Sequence, residues 1–370
     1  MTATMTIPVS QPDISELERK NVQSAMDSTW ISSSGSFVDS FEHRFADIHG
    51  ALSCLSVSNG TAALHLALLG CEIGPGDEVI VPSLTYVATA NAVKYCGAEP
   101  VFVDVNQEDW NMNCRQVKDA ISSRTKAIIV VHLYGMPADM SQLRTIADQY
   151  GIFLIEDVAE APFATRDGKM TGTVGDVSTF SFFGNKVITC GEGGAVVTNN
   201  PEIAARMKLL RSQGMDPNQR YFFSVIGYNY RLTNVACAIL DAQLDRLEEM
   251  LNRRQQLFSR YEQALGGLDV RLQRSSKNVT VCPWLFPLLI TQGENTRSSI
   301  IKKLREQGID TRPFFYPIHK LPMYTAAKTC GSLPITNQLA NCGMNLPTSS
   351  AFSDSETDYL VAQVERIFHQ

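Results

Sequence analysis

The strongest constraint on the fold is a series of short apolar runs, rich in valine and isoleucine, that alternate with helical stretches. The runs lie at residues 78–82, 100–104, 127–132, 152–156 and 195–198. They are apolar at consecutive positions, which is typical of strands in a parallel sheet covered by helices on both faces. The alternation of strand and helix therefore predicts an α/β fold with a mostly parallel central sheet.

The pattern changes near residue 235, where a helical stretch begins that extends to about residue 265. Apolar residues such as Leu240 and Leu244 recur along it at helical spacing. We expect this long helix to link two domains. The first is a large domain with an N-terminal arm, residues 1–235, and the second is a smaller α/β domain, residues 236–370.

Composition excludes several classes of partner. The net charge is -6, and acidic and basic residues are interspersed, so no basic stripe is present that would bind nucleic acid. No apolar run reaches membrane-spanning length. The nine cysteines are an odd number without a C-x-x-C pair, which favours a reducing compartment. We expect a cytoplasmic protein without a nucleic-acid or membrane partner.

Lys186 lies between an aromatic run at residues 180–183 and a glycine-rich turn at residues 191–194. A lysine that is desolvated in such a place loses its proton more easily, and a neutral amine attacks aldehydes. An isolated loop lysine is more often a solvated surface residue. Lys186 is therefore a candidate Schiff-base lysine if other segments supply matching groups.

Three other segments carry groups of the matching kind. Gly60 and Thr61 begin a strongly helical run, and such a helix start can hold a phosphate. Asp157 follows the apolar run at 152–156, so it is expected beyond the carboxyl end of a strand, where ligands of open α/β sheets bind. There it could keep a pyridine nitrogen protonated, and Tyr86 could stack on the ring. An ordinary helix cap, a capping aspartate and a core tyrosine are the alternatives.

Motifs of competing chemistries are absent from the sequence. It contains no G-x-G-x-x-G after a strand, no Walker A loop, no H-E-x-x-H and no G-x-S-x-G. The six histidines lack the spacing of metal ligands. We therefore expect no metal site.

Taken in order, the phosphate-binding helix start, the strand-end aspartate and the glycine-flanked lysine resemble a fold-type I pyridoxal-phosphate enzyme. Residues 58–61, 76–82, 156–161, 181–194 and 227–231 resemble the DegT/DnrJ/StrS family of sugar-nucleotide aminotransferases, and the resemblance covers essentially the whole chain. It implies the fold-type I aminotransferase fold, with a large domain and a smaller α/β C-terminal domain. The implied cofactor is pyridoxal 5′-phosphate, present as pyridoxamine 5′-phosphate during turnover.

Within the family, residues 27–35, 181–186 and 311–319 are most similar to members that move the amino group of L-glutamate to C4 of GDP-4-keto-6-deoxy-D-mannose, giving GDP-perosamine. The resemblance implies a ping-pong reaction that serves O-antigen or natural-product deoxysugar biosynthesis. One branch of the family replaces the Schiff-base lysine with histidine and dehydrates at C3. Lys186 argues against that branch.

The resemblance also implies roles for individual residues. Lys186 would form the Schiff base and move protons, and Asp157 would pair with the pyridinium nitrogen. Glu160 would lie near the ring hydroxyl, at a position where many relatives have glutamine. The residues implied to hold the phosphate and cover the ring are Gly60, Thr61, Ser181 and Tyr86.

Further implied roles concern the partner subunit and the substrate. In the family, the residue at the position of Asn229 is supplied by the neighbouring subunit, so the resemblance implies a homodimer with shared active sites. Trp30, Tyr316 and His319 are expected to contact the GDP-linked keto sugar.

Three alternatives remain at the sequence level. The first is a 4- or 3-aminotransferase of the same family that acts on a UDP- or dTDP-linked keto sugar. The second is a non-catalytic regulatory member, which the intact Lys186 and Asp157 disfavour. The third is a pyridoxal-phosphate lyase that acts on free amino acids.

Overall fold

The computed structural model describes residues 6–274 and 278–370; the first five residues of the predicted N-terminal arm lie outside this range. The α-helices are α1 Glu16–Asp27, α2 Ser36–Ile48, α3 Gly60–Gly70, α4 Ala88–Tyr95, α5 Cys114–Ala120, α6 Met140–Tyr150, α7 Pro201–Arg211, α8 Asn234–Asp245, α9 Leu247–Ala264, α10 Glu294–Glu306, α11 Pro334–Cys342 and α12 Asp354–Phe368. The strands are β1 Ser53–Val57, β2 Glu78–Pro82, β3 Glu99–Val103, β4 Thr125–Val131, β5 Phe153–Asp157, β6 Thr165–Arg166, β7 Lys169–Met170, β8 Val177–Ser181, β9 Gly194–Thr198, β10 Val270–Leu272, β11 Val279–Thr280, β12 Phe286–Ile290, β13 Arg312–Pro313, β14 Lys328–Thr329 and β15 Gly343–Leu346.

The large lobe is built on an eight-stranded sheet in the order β1-β9-β8-β5-β4-β2-β3-β14. From β8 to β14 every neighbouring pair is parallel, as the consecutive apolar runs predict. The expectation of a parallel strand was wrong for the run at 195–198, because its strand, β9, is antiparallel to both β1 and β8. No helix lies between β8 and β9, so the chain returns directly beside the strand it has just left.

Strand β2 shows why these runs are apolar throughout. Val79 and Val81 pack with residues of α3, α4 and α7 on one face of the sheet, whereas Ile80 packs with residues of α5 and α6 on the other. All three side chains are fully buried. Burial of both faces is what a parallel sheet between two helical layers requires.

The helical stretch predicted to begin near residue 235 is two helices, α8 and α9, divided at Arg246. The Arg246 guanidinium lies 2.9 Å from a carboxylate oxygen of Asp13 and 2.9 Å from one of Glu18. Helix α8 packs against α1 and α2 in the large lobe, and α9 packs against α12 in the small lobe. The expectation of one continuous helix was therefore wrong. Ion pairs with distant residues stabilise the break at Arg246, and the leucine spacing contains no sign of them.

The small lobe contains an antiparallel sheet in the order β10-β12-β15-β13. Residue Ile7, close to the amino terminus, is fully buried in the core of this lobe. Its N–H donates to the Gly308 carbonyl at 2.8 Å, and its carbonyl accepts from Asp310 N–H at 2.9 Å. The amino-terminal segment thus reaches the carboxyl-terminal lobe, while the division at residue 235 stays a prediction.

Within residues 6–274 and 278–370, no helix has the length and hydrophobicity that a membrane crossing requires. In the same ranges, no group of three or more His, Cys, Asp or Glu side chains is placed to hold a metal ion.

Candidate active site

A cavity of about 690 Å³ opens between the two lobes, at the carboxyl ends of the central strands. Strands β4, β5 and β8 each end at its wall, and helix α3 begins there. Of the residues singled out in the sequence, those that line this cavity are Gly60, Thr61, Tyr86, Asp157, Glu160, Ser181 and Lys186. The fold therefore assembles in one place groups that are far apart in the sequence.

Lys186 lies on the turn that joins β8 to β9. Its N–H donates to the Phe183 carbonyl at 2.9 Å, and the Phe182 N–H donates to the Gly193 carbonyl at 2.8 Å. Gly191 has a φ of 88°, in the left-handed region that glycine adopts readily. The glycine-rich turn therefore fixes the backbone on both sides of the lysine.

The amine of Lys186 lies 3.7 Å from the centre of the Trp284 ring system. Within the residues that the structure describes, Nζ has neither a hydrogen bond nor an ion pair. Burial lowers the pKa of Lys186, although the nearby carboxylates of Glu160 and Asp157 act in the opposite direction. A lysine with a lowered pKa supplies more neutral amine at physiological pH, as nucleophilic catalysis requires.

Asp157 is the last residue of strand β5, and it lines the cavity. Its Oδ2 accepts from the Thr89 hydroxyl at 2.9 Å, and its Oδ1 accepts from Ala159 N–H at 3.2 Å. Burial raises the pKa of Asp157, while the Thr89 hydrogen bond lowers it. A cation placed beside this carboxylate would favour its ionised form.

Glu160 is a second buried carboxyl group in the cavity. Its Oε2 accepts from the Tyr134 N–H at 2.8 Å. Burial raises the pKa of Glu160 to about 7, although the Lys186 amine acts to lower it. The cavity therefore contains a carboxyl group that titrates close to neutrality.

Helix α3 begins directly against the end of strand β8. Asn59 caps the helix by accepting from Ala62 N–H at 2.8 Å, which leaves the first N–H groups facing the cavity. A Cβ atom at Gly60 would lie 2.8 Å from the Ser181 Cβ, and one at Gly194 would lie 2.7 Å from the Asn59 backbone. These glycines bring a helix start and a serine hydroxyl together, and such a site suits an anion.

The remaining predicted residues lie outside the cavity lining. Trp30 and Tyr316 are exposed, at 61% and 65% of their surface, and Asn229 is also exposed. The His319 Nδ1 lies 2.7 Å from the Ser83 hydroxyl, whose oxygen also accepts from the His319 N–H at 3.2 Å. The structure does not bring these four residues into the cavity of a single chain.

Several cavity residues were missed in the sequence. Tyr134 follows strand β4, so the rule that selected Asp157 from the end of β5 would also have selected it. Thr89, Trp284, Arg312 and Asn345 carry no such signal. The last three come from the small lobe, and their approach depends on how the two lobes pack.

The cavity fits a pyridine ring that carries a phosphate. The α3 start and Ser181 suit the phosphate, and Asp157 is a buried carboxylate for a protonated ring nitrogen. Tyr86 is half exposed, and its ring lies 5.9 Å from that of Phe315. Lys186 supplies the amine.

Comparison with known proteins assigns the family. The model for the DegT/DnrJ/EryC1/StrS aminotransferase family matches residues 12–365. The chain is 45% identical to the GDP-perosamine synthase of Caulobacter vibrioides, with 98% of each chain covered. It is 42% identical to the GDP-perosamine synthase of Escherichia coli O157:H7 and 40% identical to that of Vibrio cholerae, again with 98% of this chain covered and with 98% and 99% of those proteins covered.

Solved structures agree. The aminotransferase TlmJ from Streptoalloteichus hindustanus is 31% identical, with a TM-score of 0.92 over 98% of this chain and 99% of that one. The PLP form of a putative sugar aminotransferase from Streptococcus pneumoniae is 27% identical, with a TM-score of 0.93 over 99% of each chain. The chain therefore belongs to the DegT/DnrJ/EryC1/StrS aminotransferase family, and the predicted fold-type I fold, transferase class and pyridoxal 5′-phosphate dependence are confirmed with it.

Proposed function

We propose that the protein transfers the amino group of L-glutamate to C4 of GDP-4-keto-6-deoxy-D-mannose and so produces GDP-perosamine. The observation that carries this proposal is that three relatives, each at least 40% identical along nearly the whole chain, are GDP-perosamine synthases. A dTDP-3-amino-3,4,6-trideoxy-alpha-D-glucose transaminase from Micromonospora megalomicea is less similar, at 36%. The GDP-linked sugar is therefore favoured over a UDP- or dTDP-linked one.

Lys186 and Asp157 perform the central tasks of this reaction. Bound pyridoxal 5′-phosphate supplies an electrophilic carbon and an electron-withdrawing ring, and it carries nitrogen between the two half-reactions. Lys186 would hold the cofactor covalently between turnovers and, as a free amine, would move a proton at the reacting carbon. Asp157, held by the Thr89 hydroxyl, would lie beside the ring nitrogen, whose positive charge would favour the ionised carboxylate. The lowered pKa of Lys186 suits both of its tasks.

The other cavity residues orient the cofactor. Gly60 and Thr61 would donate from the start of α3 to the phosphate, and the Ser181 hydroxyl would complete that site. Glu160 would interact with the ring hydroxyl, and Tyr86 would cover one ring face. The close approach between Gly60 and Ser181 supports this arrangement, because a larger residue at position 60 would separate the two groups.

The proposal also includes the binding of the sugar nucleotide and the assembly of a dimer. Trp30, Tyr316 and His319 contact the GDP-linked sugar, and Asn229 enters the active site of a second copy of this chain. Support comes from a run of exposed apolar and aromatic residues just before Asn229. Its members are Tyr221, Phe222, Phe223, Val225 and Ile226. Ile226 is 89% exposed in the single chain, as expected for a surface that a partner covers.

A mixture of two inactive variants tests the shared site. We expect Lys186→Ala and Asn229→Ala each to lose activity. If each site takes Lys186 from one subunit and Asn229 from the other, random reassembly restores about a quarter of the wild-type sites, since half of the dimers are mixed and each has one intact site. Separately dialysed samples mixed without subunit exchange are the control. No recovery after verified exchange would place both residues in the same subunit's site.

A cytoplasmic location also belongs to the proposal. All nine cysteines are unpaired in the structure, and disulfides are rare where thiols are kept reduced. A nucleotide sugar and glutamate would be available there.

The substrate is tested with nitrogen-15 glutamate and a panel of GDP-, UDP- and dTDP-linked 4-keto-6-deoxy sugars. We expect the label in the GDP-linked product alone, detected by mass spectrometry, and no label with Lys186→Ala. Label in another nucleotide sugar would support the transamination but contradict the proposed GDP-linked substrate. Product formation without any sugar nucleotide would favour the lyase alternative.

A further inference from the structure

Trp284 is the feature of the cavity that the cofactor chemistry leaves unexplained. It comes from the small lobe, two residues before strand β12, and it lines the cavity beside residues of the large lobe. Its side chain is almost completely buried, at 3% exposure, and the centre of its ring system lies 3.7 Å from Lys186 Nζ. Among the described residues, no other aromatic ring lies over this amine.

The position of the Trp284 ring is fixed from both lobes. The indole Nε1–H donates to the carbonyl of Asn185, the residue before the catalytic lysine, at 2.9 Å. The fully buried Arg254 donates to the Trp284 carbonyl at 3.1 Å and to the Thr348 carbonyl at 3.2 Å. The ring is therefore held against the turn that carries Lys186.

Lys186 is partly buried, and an ammonium group that loses part of its hydration without gaining an oxygen partner is unfavourable. Lys186 has no such partner in the part of the chain that the structure describes. The titratable groups that face it are Glu160, Asp157 and the Cys282 thiol. An aromatic face attracts a cation through its quadrupole, and tryptophan does so most strongly.

We propose that Trp284 is a positioning residue for the catalytic amine, and that its indole face holds the Lys186 ammonium group whenever the amine is not bonded to the cofactor. This inference rests on the proposed function of Lys186 but not on the identity of the sugar. The indole site keeps the lysine at a defined place beside the reacting carbon. It also offsets part of the effect of burial on the charged amine.

The test is the pKa of Lys186 in the full-length protein freed of cofactor. Trace labelling of amines across a pH series, followed by mass spectrometry of the peptide that contains Lys186, gives this value without sugar or glutamate. The variants are Trp284→Leu, which removes the aromatic face, and Trp284→Phe, which keeps a weaker one. Phe315→Leu removes another aromatic ring from the cavity and is the matched control.

If the indole stabilises the ammonium group, Trp284→Leu lowers the pKa of Lys186 by roughly one pH unit. We expect a smaller decrease for Trp284→Phe and no change for Phe315→Leu. If Trp284 acts only by excluding water, its loss hydrates the cavity and raises the pKa instead. A rise, an unchanged value, or an equal decrease in the control overturns the proposal. Circular dichroism verifies that each variant is folded.

The substrate panel separates failure of this inference from failure of the proposed function. Transfer of label to the GDP-linked sugar together with an unchanged pKa in Trp284→Leu would overturn the inference alone. A lowered pKa together with label in another sugar would overturn the substrate alone.

Discussion

The cavity has an inner wall and an outer rim that differ in how completely one chain builds them. The inner wall consists of Asp157 and Glu160, which are buried, and Lys186, which is partly buried, and each carboxylate accepts a hydrogen bond. The outer rim consists of Trp30 and Tyr316, whose side chains are largely exposed. The groups proposed to perform the chemistry are thus already arranged in the single chain, whereas the groups proposed to select the sugar are not.

This difference follows from the origin of each part. The inner wall lies at the ends of strands in one sheet, where backbone hydrogen bonds fix every side chain relative to its neighbours. The outer rim lies on surface segments, as does the exposed run at residues 221–226. We infer that a second copy of the chain orders the rim, so the two parts should respond differently to substitution.

The largest effect is expected at the inner wall, for Lys186→Ala. Loss of the amine removes both the covalent attachment and the proton transfer, so transamination should decrease by at least about a thousandfold. Lys186→Arg, which keeps a charge but not a usable amine, should be similarly inactive. Transfer of nitrogen-15 from glutamate measures the rate. A decrease of less than about tenfold would contradict the role of Lys186.

The Glu160→Gln variant probes the cost of burying a carboxyl group in the inner wall. Glutamine can still accept from Tyr134 N–H but does not titrate. The pKa of Glu160 is raised from 4.5 to about 7, so the stability that its protonated form contributes is present below pH 4.5 and is lost as the pH rises through 7. The free energy of unfolding of the variant, relative to that of wild type, should therefore increase by up to about 3 kcal/mol from pH 5 to pH 8.

Urea unfolding of the cofactor-free protein at these two pH values measures the gain. Glu262→Gln, at an exposed position of α9, is the matched control and should show no pH-dependent difference. Equal stability differences at both pH values for Glu160→Gln would mean that Glu160 does not titrate in this range.

In the exposed run at residues 221–226, Ile226→Asp should weaken the dimer. A charge at the centre of an apolar interface should raise the dissociation constant by about a hundredfold, the loss expected for an anchor residue worth about 2–3 kcal/mol. Tyr150→Asp, at an exposed aromatic position on α6, is the control. Sedimentation equilibrium measures both. If the two variants weaken assembly equally, the 221–226 segment is not the interface.

The same contrast explains which parts could be predicted from the sequence. Lys186, Asp157 and Gly60 lie in local patterns with a direct physical meaning: a glycine turn, a strand end and a helix start. Trp284 and Arg312 have no such pattern, because they reach the cavity only through the packing of the small lobe. Tyr134 is an intermediate case, since it follows the end of strand β4 but is not among the residues that those patterns identified.

The prediction of one continuous helix failed for a related reason. The apolar runs gave the parallel sheet and its buried faces because each strand's pattern is local. The break at Arg246 depends on Asp13 and Glu18, which lie more than two hundred residues earlier in the chain. The leucine spacing continues across that break, so periodicity alone predicted one helix.

The smallest effect, and the sharpest test of the outer rim, is expected for Trp30→Ala. Its side chain is largely exposed, so the free energy of unfolding should change by less than about 0.5 kcal/mol. If Trp30 contacts the sugar nucleotide equally in the ground and transition states, KM for that substrate should rise by up to about tenfold with kcat unchanged. Steady-state kinetics with the GDP-linked sugar measure both constants, and Trp30→Phe, which keeps a ring, should lose less. A decrease in kcat at constant KM would instead mean that Trp30 acts in the chemical step. Trp30 would then belong functionally with the inner wall and not with the outer rim.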